Sequence, residues 1–142
     1  MTAMSSAEKE AFLADLHVGV IGLNEPGSGP LTVPIWYDYT PGENLWVVTG
    51  EKSRKGKLLK VGSRVSLAAQ TEAPPYKYVS IEGVVTQIDA ATDATLRAMA
   101  VRYLGEEQGN GYADASPLEG QVTVTIKPER WLAVDYSKAY RD

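Results

Sequence analysis

Cysteine is missing from the 142 residues, and histidine and phenylalanine occur once each. Each scarcity closes off a chemistry. Without cysteine there is no disulfide framework, no thiolate nucleophile and no Cys-ligated zinc or iron–sulfur cluster. With His17 alone, a multi-histidine metal site cannot form within one chain. The acids Glu106, Glu107, Asp114 and Glu119 lack the spacing of an oxygen-ligand site, so no metal is expected. Long apolar runs are missing too: Val18 to Leu23 falls far short of the roughly 20 residues that span a membrane. Basic excess is also absent. Fourteen Lys and Arg stand against 18 Asp and Glu, a net charge of −4, which argues against a nucleic-acid partner. The start, MTAMSSAEKEAF, has no basic n-region followed by an apolar h-region. A soluble, cytoplasmic protein is therefore expected.

What is present suits one domain over residues 1–142, with 1–5 and 139–142 as loose ends. Apolar residues make up 44% of the chain, enough for a core. Ser5 and Glu8 form a Ser-x-x-Glu capping box, and Ala11, Phe12 and Leu16 then recur at helical spacing, predicting a helix over 6–16. Val18 to Leu23 reads as a strand, and Glu25-Pro-Gly-Ser-Gly-Pro30 as a turn. Gly27-Ser-Gly29 lacks the third glycine and the strand-to-helix setting of a dinucleotide fingerprint. Residues 31–39 are β-branched and aromatic, and Pro34 within them marks an edge, a bulge or a ligand-facing gap. Pro41-Gly-Glu-Asn44 closes a hairpin onto 45–49. A basic helix follows over 53–60, then strands over 64–71 and 76–88 with Ala73-Pro-Pro75 between them. Residues 92–104 make a second amphipathic helix, and 105–120 read as a long polar loop, a kind often functional. Two strands close the chain, over 121–127 and 131–136. Six or seven strands at hairpin spacing predict a mainly β fold, a small antiparallel barrel with peripheral helices.

The basic residues are unevenly placed. Lys52, Arg54, Lys55, Lys57, Lys60 and Arg64 fall close together, with no acid from Lys52 to Thr71. In Val47-Val-Thr-Gly-Glu-Lys-Ser-Arg-Lys-Gly-Lys57 a strand delivers the chain to a polar turn and a helix start. Free amides, a hydroxyl and several cations make a phosphate site there. Arg54 can grip a phosphate as a bidentate fork, while Lys55 and Lys57 act as flexible point charges. A solvated basic face is the other reading of the same residues. His17 reads as a packed residue or a partner of the helix end. Trp46 reads as a core or interface anchor and Trp36 as a pocket wall. Tyr76, Tyr78 and Tyr103 are possible proton donors.

Thr49 followed by Ser53-Arg54-Lys55, then Arg64-Val-Ser-Leu67, resembles the pyridoxamine-phosphate-oxidase-like split barrels. That family includes FMN enzymes and the actinobacterial oxidoreductases that use the deazaflavin coenzyme F(420). Pro34-Ile-Trp-Tyr37, Leu45-Trp-x-x-Thr49 and Pro128-Glu-Arg130 with Asp135 and Lys138 are similar to further stretches of it. The resemblance implies a six- to seven-stranded antiparallel split β-barrel, working as a homodimer with the cofactor at the subunit interface. It implies that Ser53, Arg54, Lys55 and Lys57 hold the cofactor phosphate, and that Thr49 and the backbone at Val48 reach the ribityl chain and ring. Pro34, Ile35 and Trp36 would line the ring, and Arg130 or Trp131 of a second copy would complete the site. Leu58 stands near where many members carry Asn or Gln, Tyr78 where the true oxidases place a flavin-contacting Gln, and Val33 where their ring-contacting Arg stands. The Arg-x-His substrate motif is absent. The implied function is therefore hydride transfer between F(420) or FMN and a small organic substrate, not vitamin B6 oxidation. A flavin, deazaflavin or haem carrier of the same fold is the alternative. Such chemistry belongs to the cofactor, which suits a chain with few nucleophiles.

Overall fold

The computed structural model describes residues 1–140. Seven antiparallel strands form one sheet: β1 (Gly19–Leu23), β2 (Leu31–Ile35), β3 (Tyr37–Asp38), β4 (Leu45–Gly50), β5 (Arg64–Gln70), β6 (Lys77–Ala90) and β7 (Gln121–Asp135). Their order is β2-β1-β5-β6-β7-β4-β3. The two edge strands are thus consecutive in the chain, separated by Trp36 alone. A sheet whose first and last strands are one residue apart has to curl until its edges meet. The result is a half-barrel, mainly β, with helices α1 (Ser6–Ala14), α2 (Arg54–Leu58), α3 (Asp93–Leu104) and α4 (Glu106–Ala115) around it.

Alternation decides which side chains go inside. Val65, Leu67 and Ala69 of β5, Leu45 and Val47 of β4, Val79 and Ile81 of β6, and Val124 and Ile126 of β7 point inward and are buried. Phe12 and Leu13 of α1 join this core. Pro34 stands on an edge strand, where a missing N–H interrupts least.

α3 ties the outer edge of β3 to the segment between α1 and β1. The Tyr103 hydroxyl accepts from Tyr37 N–H at 3.0 Å and donates to the His17 carbonyl at 2.6 Å. Arg102 Nε donates to the Tyr37 carbonyl at 3.1 Å, and its Nη2 reaches the carbonyls of Ala14 and Asp15 at 3.1 Å each. Backbone groups that a neighbouring strand would otherwise satisfy are met by these side chains, as buried polar groups require. His17 stacks on Phe12 with ring centroids 4.3 Å apart, and its Nε2 is enclosed without a partner among the described residues. Burial pushes its pKa below the usual imidazole value.

Three expectations need correction. Residues 105–120 are not a loop: α4 occupies Glu106–Ala115. Gly109 lets α4 press on α3, since a Cβ there would lie 2.5 Å from the Val101 Cα. The two final strands are one, β7, which passes Pro128 at a bulge. Glu82 pairs with Arg130 and Gly83 with Pro128, so Glu129 is the extra residue. The first residues are also tied down: Met4 N–H donates to the Ala133 carbonyl and Asp135 N–H to the Thr2 carbonyl. At the other end, a 3₁₀ turn covers Tyr136–Tyr140, and the expected loose end at 141–142 lies outside the described residues.

Candidate functional site

The basic segment follows directly from β4. Thr49, only 3% exposed, is the last inward residue of that strand. The chain then turns at Glu51-Lys52, and Ser53 caps α2. Its hydroxyl donates to the Gly50 carbonyl at 2.7 Å and accepts from Gly56 N–H at 3.0 Å. The Thr49 hydroxyl is 3.5 Å from the same oxygen. Gly56 is what allows the fold-back. A Cβ there would be 2.9 Å from the Glu51 carbonyl oxygen and closer still to that of Gly50. The helix is five residues long, shorter than the 53–60 span expected from the sequence.

Around this turn positive charge accumulates. Arg54 is two-thirds exposed, and Lys52, Lys57 and Lys60 are exposed. The ion pairs of the described residues give Arg54 one carboxylate, Glu25, and leave Lys52, Lys55, Lys57 and Lys60 without one. Arg54 Nε donates to Glu25 Oε2 at 3.1 Å and Nη2 to Oε1 at 2.5 Å. This contact holds the Glu25 carboxyl below the usual carboxylate range. A carboxylate seated in the guanidinium fork is a stand-in for the anion that a phosphate site would take. Beside the turn lies a cavity of about 360 Å³ lined by Lys52, Lys57 and Lys60 with Glu51, and by the apolar Leu59 and Val122. Cations over an apolar wall fit an anionic ligand with a hydrophobic body.

The other expected site residues are dispersed. Val48 faces outward from β4 and is half-buried. Ile35 is 7% exposed and belongs to the core, so only its backbone is free to meet a ligand. Trp36 stacks on Tyr103 of α3 with centroids 5.0 Å apart and lies 5.5 Å from the ring of Tyr112 on α4. Trp131 is edge-on to Tyr39 and carries Lys9 Nζ over its face at 4.8 Å. Arg130 is exposed on β7, 3.6 Å from Glu82. The structure thus brings Thr49, Ser53, Arg54, Lys55 and Lys57 together, and it leaves Trp36 among the helices. Glu25 was missed as a site neighbour, because nothing in its turn sequence places it across the barrel mouth from Arg54. Tyr103, a possible proton donor, has its hydroxyl fully engaged by backbone.

One further surface stands out. Pro34, Val20, Ala68, Ser80 and Leu132 are paired in register across β2, β1, β5, β6 and β7. Directly paired residues share a face, and this row is on the outside. Val20 is 41% and Leu132 58% exposed. The outer face of an antiparallel sheet is usually polar, whereas four of these five residues are apolar, with Ser80 between Ala68 and Leu132. Among the described residues no helix is long and apolar enough to cross a membrane, and no three His, Cys, Asp or Glu side chains converge as a metal site.

Comparison with known proteins agrees with this architecture. The family model described as pyridoxamine 5′-phosphate oxidase matches residues 5–135. No functionally curated protein matches the sequence. Among solved structures, the hypothetical protein Rv2991 of Mycobacterium tuberculosis is 26% identical with a TM-score of 0.78, covering 99% of this chain and 91% of that one. An F(420) reductase is 21% identical with a TM-score of 0.73, covering 87% and 94%. An FAD- and haem-binding protein of Mycobacterium smegmatis is 14% identical with a TM-score of 0.67, covering 94% and 72%.

Proposed function

The chain belongs to the pyridoxamine 5′-phosphate oxidase family, and from that premise we propose that it is an oxidoreductase using coenzyme F(420) or FMN. The substrate class is a small organic molecule. The observation that carries this reading is the cation cluster at Ser53–Lys60, where Glu25 already occupies the Arg54 fork as an anion would. When bound, a reduced deazaflavin or flavin supplies the hydride. The chain's own residues bind and orient. Arg54 and Lys55 hold the phosphate by charge-assisted hydrogen bonds. Lys57 adds charge without geometric demand. Thr49 and the outward face at Val48 lie next to that grip. Pro34 belongs to the apolar row, so a second copy docking on Val20 and Leu132 would bring its own Arg130 close to this surface. The homodimer is part of the proposal.

Fluorescence titration with F(420) and with FMN tests the reading. Binding of one of them at micromolar level or tighter is expected, and Arg54→Ala with Lys55→Ala should weaken it at least about tenfold. Failure of both cofactors to bind would refute it. A second reading, a carrier that binds cofactor without turnover, is favoured by one observation: the Tyr103 hydroxyl is saturated by Tyr37 and His17. Mixing reduced cofactor with quinone, enone and tetrapyrrole acceptors separates the two. Acceleration over buffer supports the enzyme, and none across the panel supports the carrier. The Nε2 of His17 is enclosed, so that atom is not available to a haem iron.

A further inference from the structure

Glu25 enters the reading above only as an occupant of the Arg54 fork, yet it holds the strongest phosphate-binding side chain of the cluster. The pair is bidentate and uses both carboxylate oxygens, the same fork-to-fork geometry that arginine makes with phosphate. Glu25 is 20% exposed at the side chain against 66% for Arg54, so the acid is the better-packed half. It opens the turn between β1 and β2. The turn behind it packs on nothing: Ser28 N–H donates to the Glu25 carbonyl at 3.1 Å within the turn, Gly27 has φ +79°, and neither Gly27 nor Gly29 has anything within 4 Å of where a Cβ would stand. Among the described residues, the bonds to Arg54 are the side-chain hydrogen bonds that tie residues 24–30 to the rest of the chain. A phosphate arriving at Arg54 therefore meets a carboxylate in its place. Two anions on one guanidinium repel each other, a phosphomonoester carrying about −1.5 to −2 charges near neutrality. The neighbouring cations Lys55 and Lys57 stay with the phosphate, and Glu25 has none beyond Arg54 among the ion pairs of the described residues.

We propose that Glu25 is a built-in competitor for the cofactor phosphate: it occupies Arg54 in the empty chain, and phosphate binding displaces it and frees the 24–30 turn. Glu25 is thereby a residue that sets cofactor affinity and couples site occupancy to the mobility of one turn. The inference rests on the cofactor reading of the cation cluster.

The experiment compares wild type, Glu25→Gln and Glu43→Gln in titrations with F(420) and with FMN. Hydrogen exchange of the Ser28 amide, which donates to the Glu25 carbonyl, is followed with and without cofactor. Exposed ion pairs are weak, so the expected gain for Glu25→Gln is about two- to fivefold tighter binding. Glu43→Gln removes the same charge from another exposed turn and should leave affinity unchanged. Exchange of the Ser28 amide, bonded to the Glu25 carbonyl at 3.1 Å, should speed up when cofactor saturates the wild type, and should be faster already in free Glu25→Gln. Both readouts are required. Unchanged or weaker binding by Glu25→Gln, or slower exchange on binding, overturns the competitor role while leaving the cofactor reading intact. Equal gains in both variants reduce the effect to net charge and also overturn it. If no protein of the set binds either cofactor, the cofactor reading itself fails and the competitor falls with it.

Discussion

Gly56→Ala is the sharpest perturbation of the site, because one methyl group sets two backbone segments against each other. The new Cβ would stand 2.9 Å from the Glu51 carbonyl oxygen and 3.0 Å from its carbon, and nearer still to the Gly50 oxygen. None of these is the tip of a flexible side chain, so the start of α2 has to move away from β4. Over-packing of this kind costs typically about 1–3 kcal/mol, and backbone against backbone belongs at the upper end. Alanine's better helix propensity returns at most about 1 kcal/mol. The net expectation is a loss of about 2 kcal/mol, or roughly 5–8 °C in Tm for a chain of this size. The movement also pulls the Ser53 hydroxyl from Gly50 and Gly56, so cofactor affinity should fall with stability. Gly50→Ala is the matched control: its Cβ would have neighbours at 3.7 and 3.8 Å, ordinary contacts, in the same turn. Urea denaturation at constant m-value, paired with F(420) and FMN titration, reads both effects. If Gly56→Ala unfolds at the same urea concentration as Gly50→Ala and binds as well, the close approach of α2 to β4 does not shape this site.

Other expectations concern the tie at β3, acid stability and assembly. Tyr103→Phe removes the hydroxyl that bonds Tyr37 N–H and the His17 carbonyl. Leaving these part-buried groups unpaired should cost about 1–3 kcal/mol, measured by denaturation; a change below about 0.5 kcal/mol would mean water replaces the hydroxyl freely. Glu8 is held at about 2, below its ordinary 4.5, chiefly by the Lys138 ammonium and then by the Ser5 amide. A carboxylate with a lowered folded pKa stabilises above pH 4.5, and that contribution disappears as pH falls toward 2. Glu8→Gln should therefore flatten the fall of the urea midpoint between pH 5 and 2, and an unaltered profile would remove Glu8 from the account. Leu132→Asp places a charge in the exposed apolar row and should convert a dimer to monomer in sedimentation at micromolar concentration. An unchanged mass would move the interface elsewhere.

Much of the strand pattern is legible in the sequence because each strand buries one face, and period-two alternation follows from that. Val65, Leu67 and Ala69 are an instance. The capping box at Ser5 and Glu8 is also local, with Glu8 N–H donating to the Ser5 hydroxyl at 3.1 Å and Ser5 N–H to Glu8 at 2.8 Å. What escaped is tertiary in origin. Residues 106–115 contain two glycines and a polar composition, and intrinsic propensity argues against a helix there. The helix persists because Gly109 allows close contact with α3, and because Arg97 reaches Asp114 at 2.8 Å and Asn110 Oδ1 at 2.9 Å. Pro128 looks like a strand end, yet a bulge absorbs it. The cation cluster was readable as a cluster, whereas its pairing with Glu25 spans 29 residues of sequence. Trp36 pairs with α3 and α4 for the same reason: no local pattern encodes which helix will arrive at the edge of a sheet.

The tie between α3 and β3 also bears on how the chain reaches its fold. Arg102 and Tyr37 are 65 positions apart in sequence, and Tyr37 belongs to a strand that pairs only with β4. Pairing of β4, β7 and β6 shortens the path between Arg102 and Tyr37, since α3 leaves directly from the end of β6. Loop-closure entropy opposes such distant pairs until intervening structure shortens the path. Closure at Tyr37 is therefore expected late in assembly, and φ-values near zero at Arg102 and Tyr103 would show it. Substitutions at Arg102 and Tyr103 would then act on the rate of unfolding, with the rate of folding little changed. On that expectation, the lifetime of the folded chain is most sensitive at the edge strand β3, where side chains of a helix stand in for a missing strand.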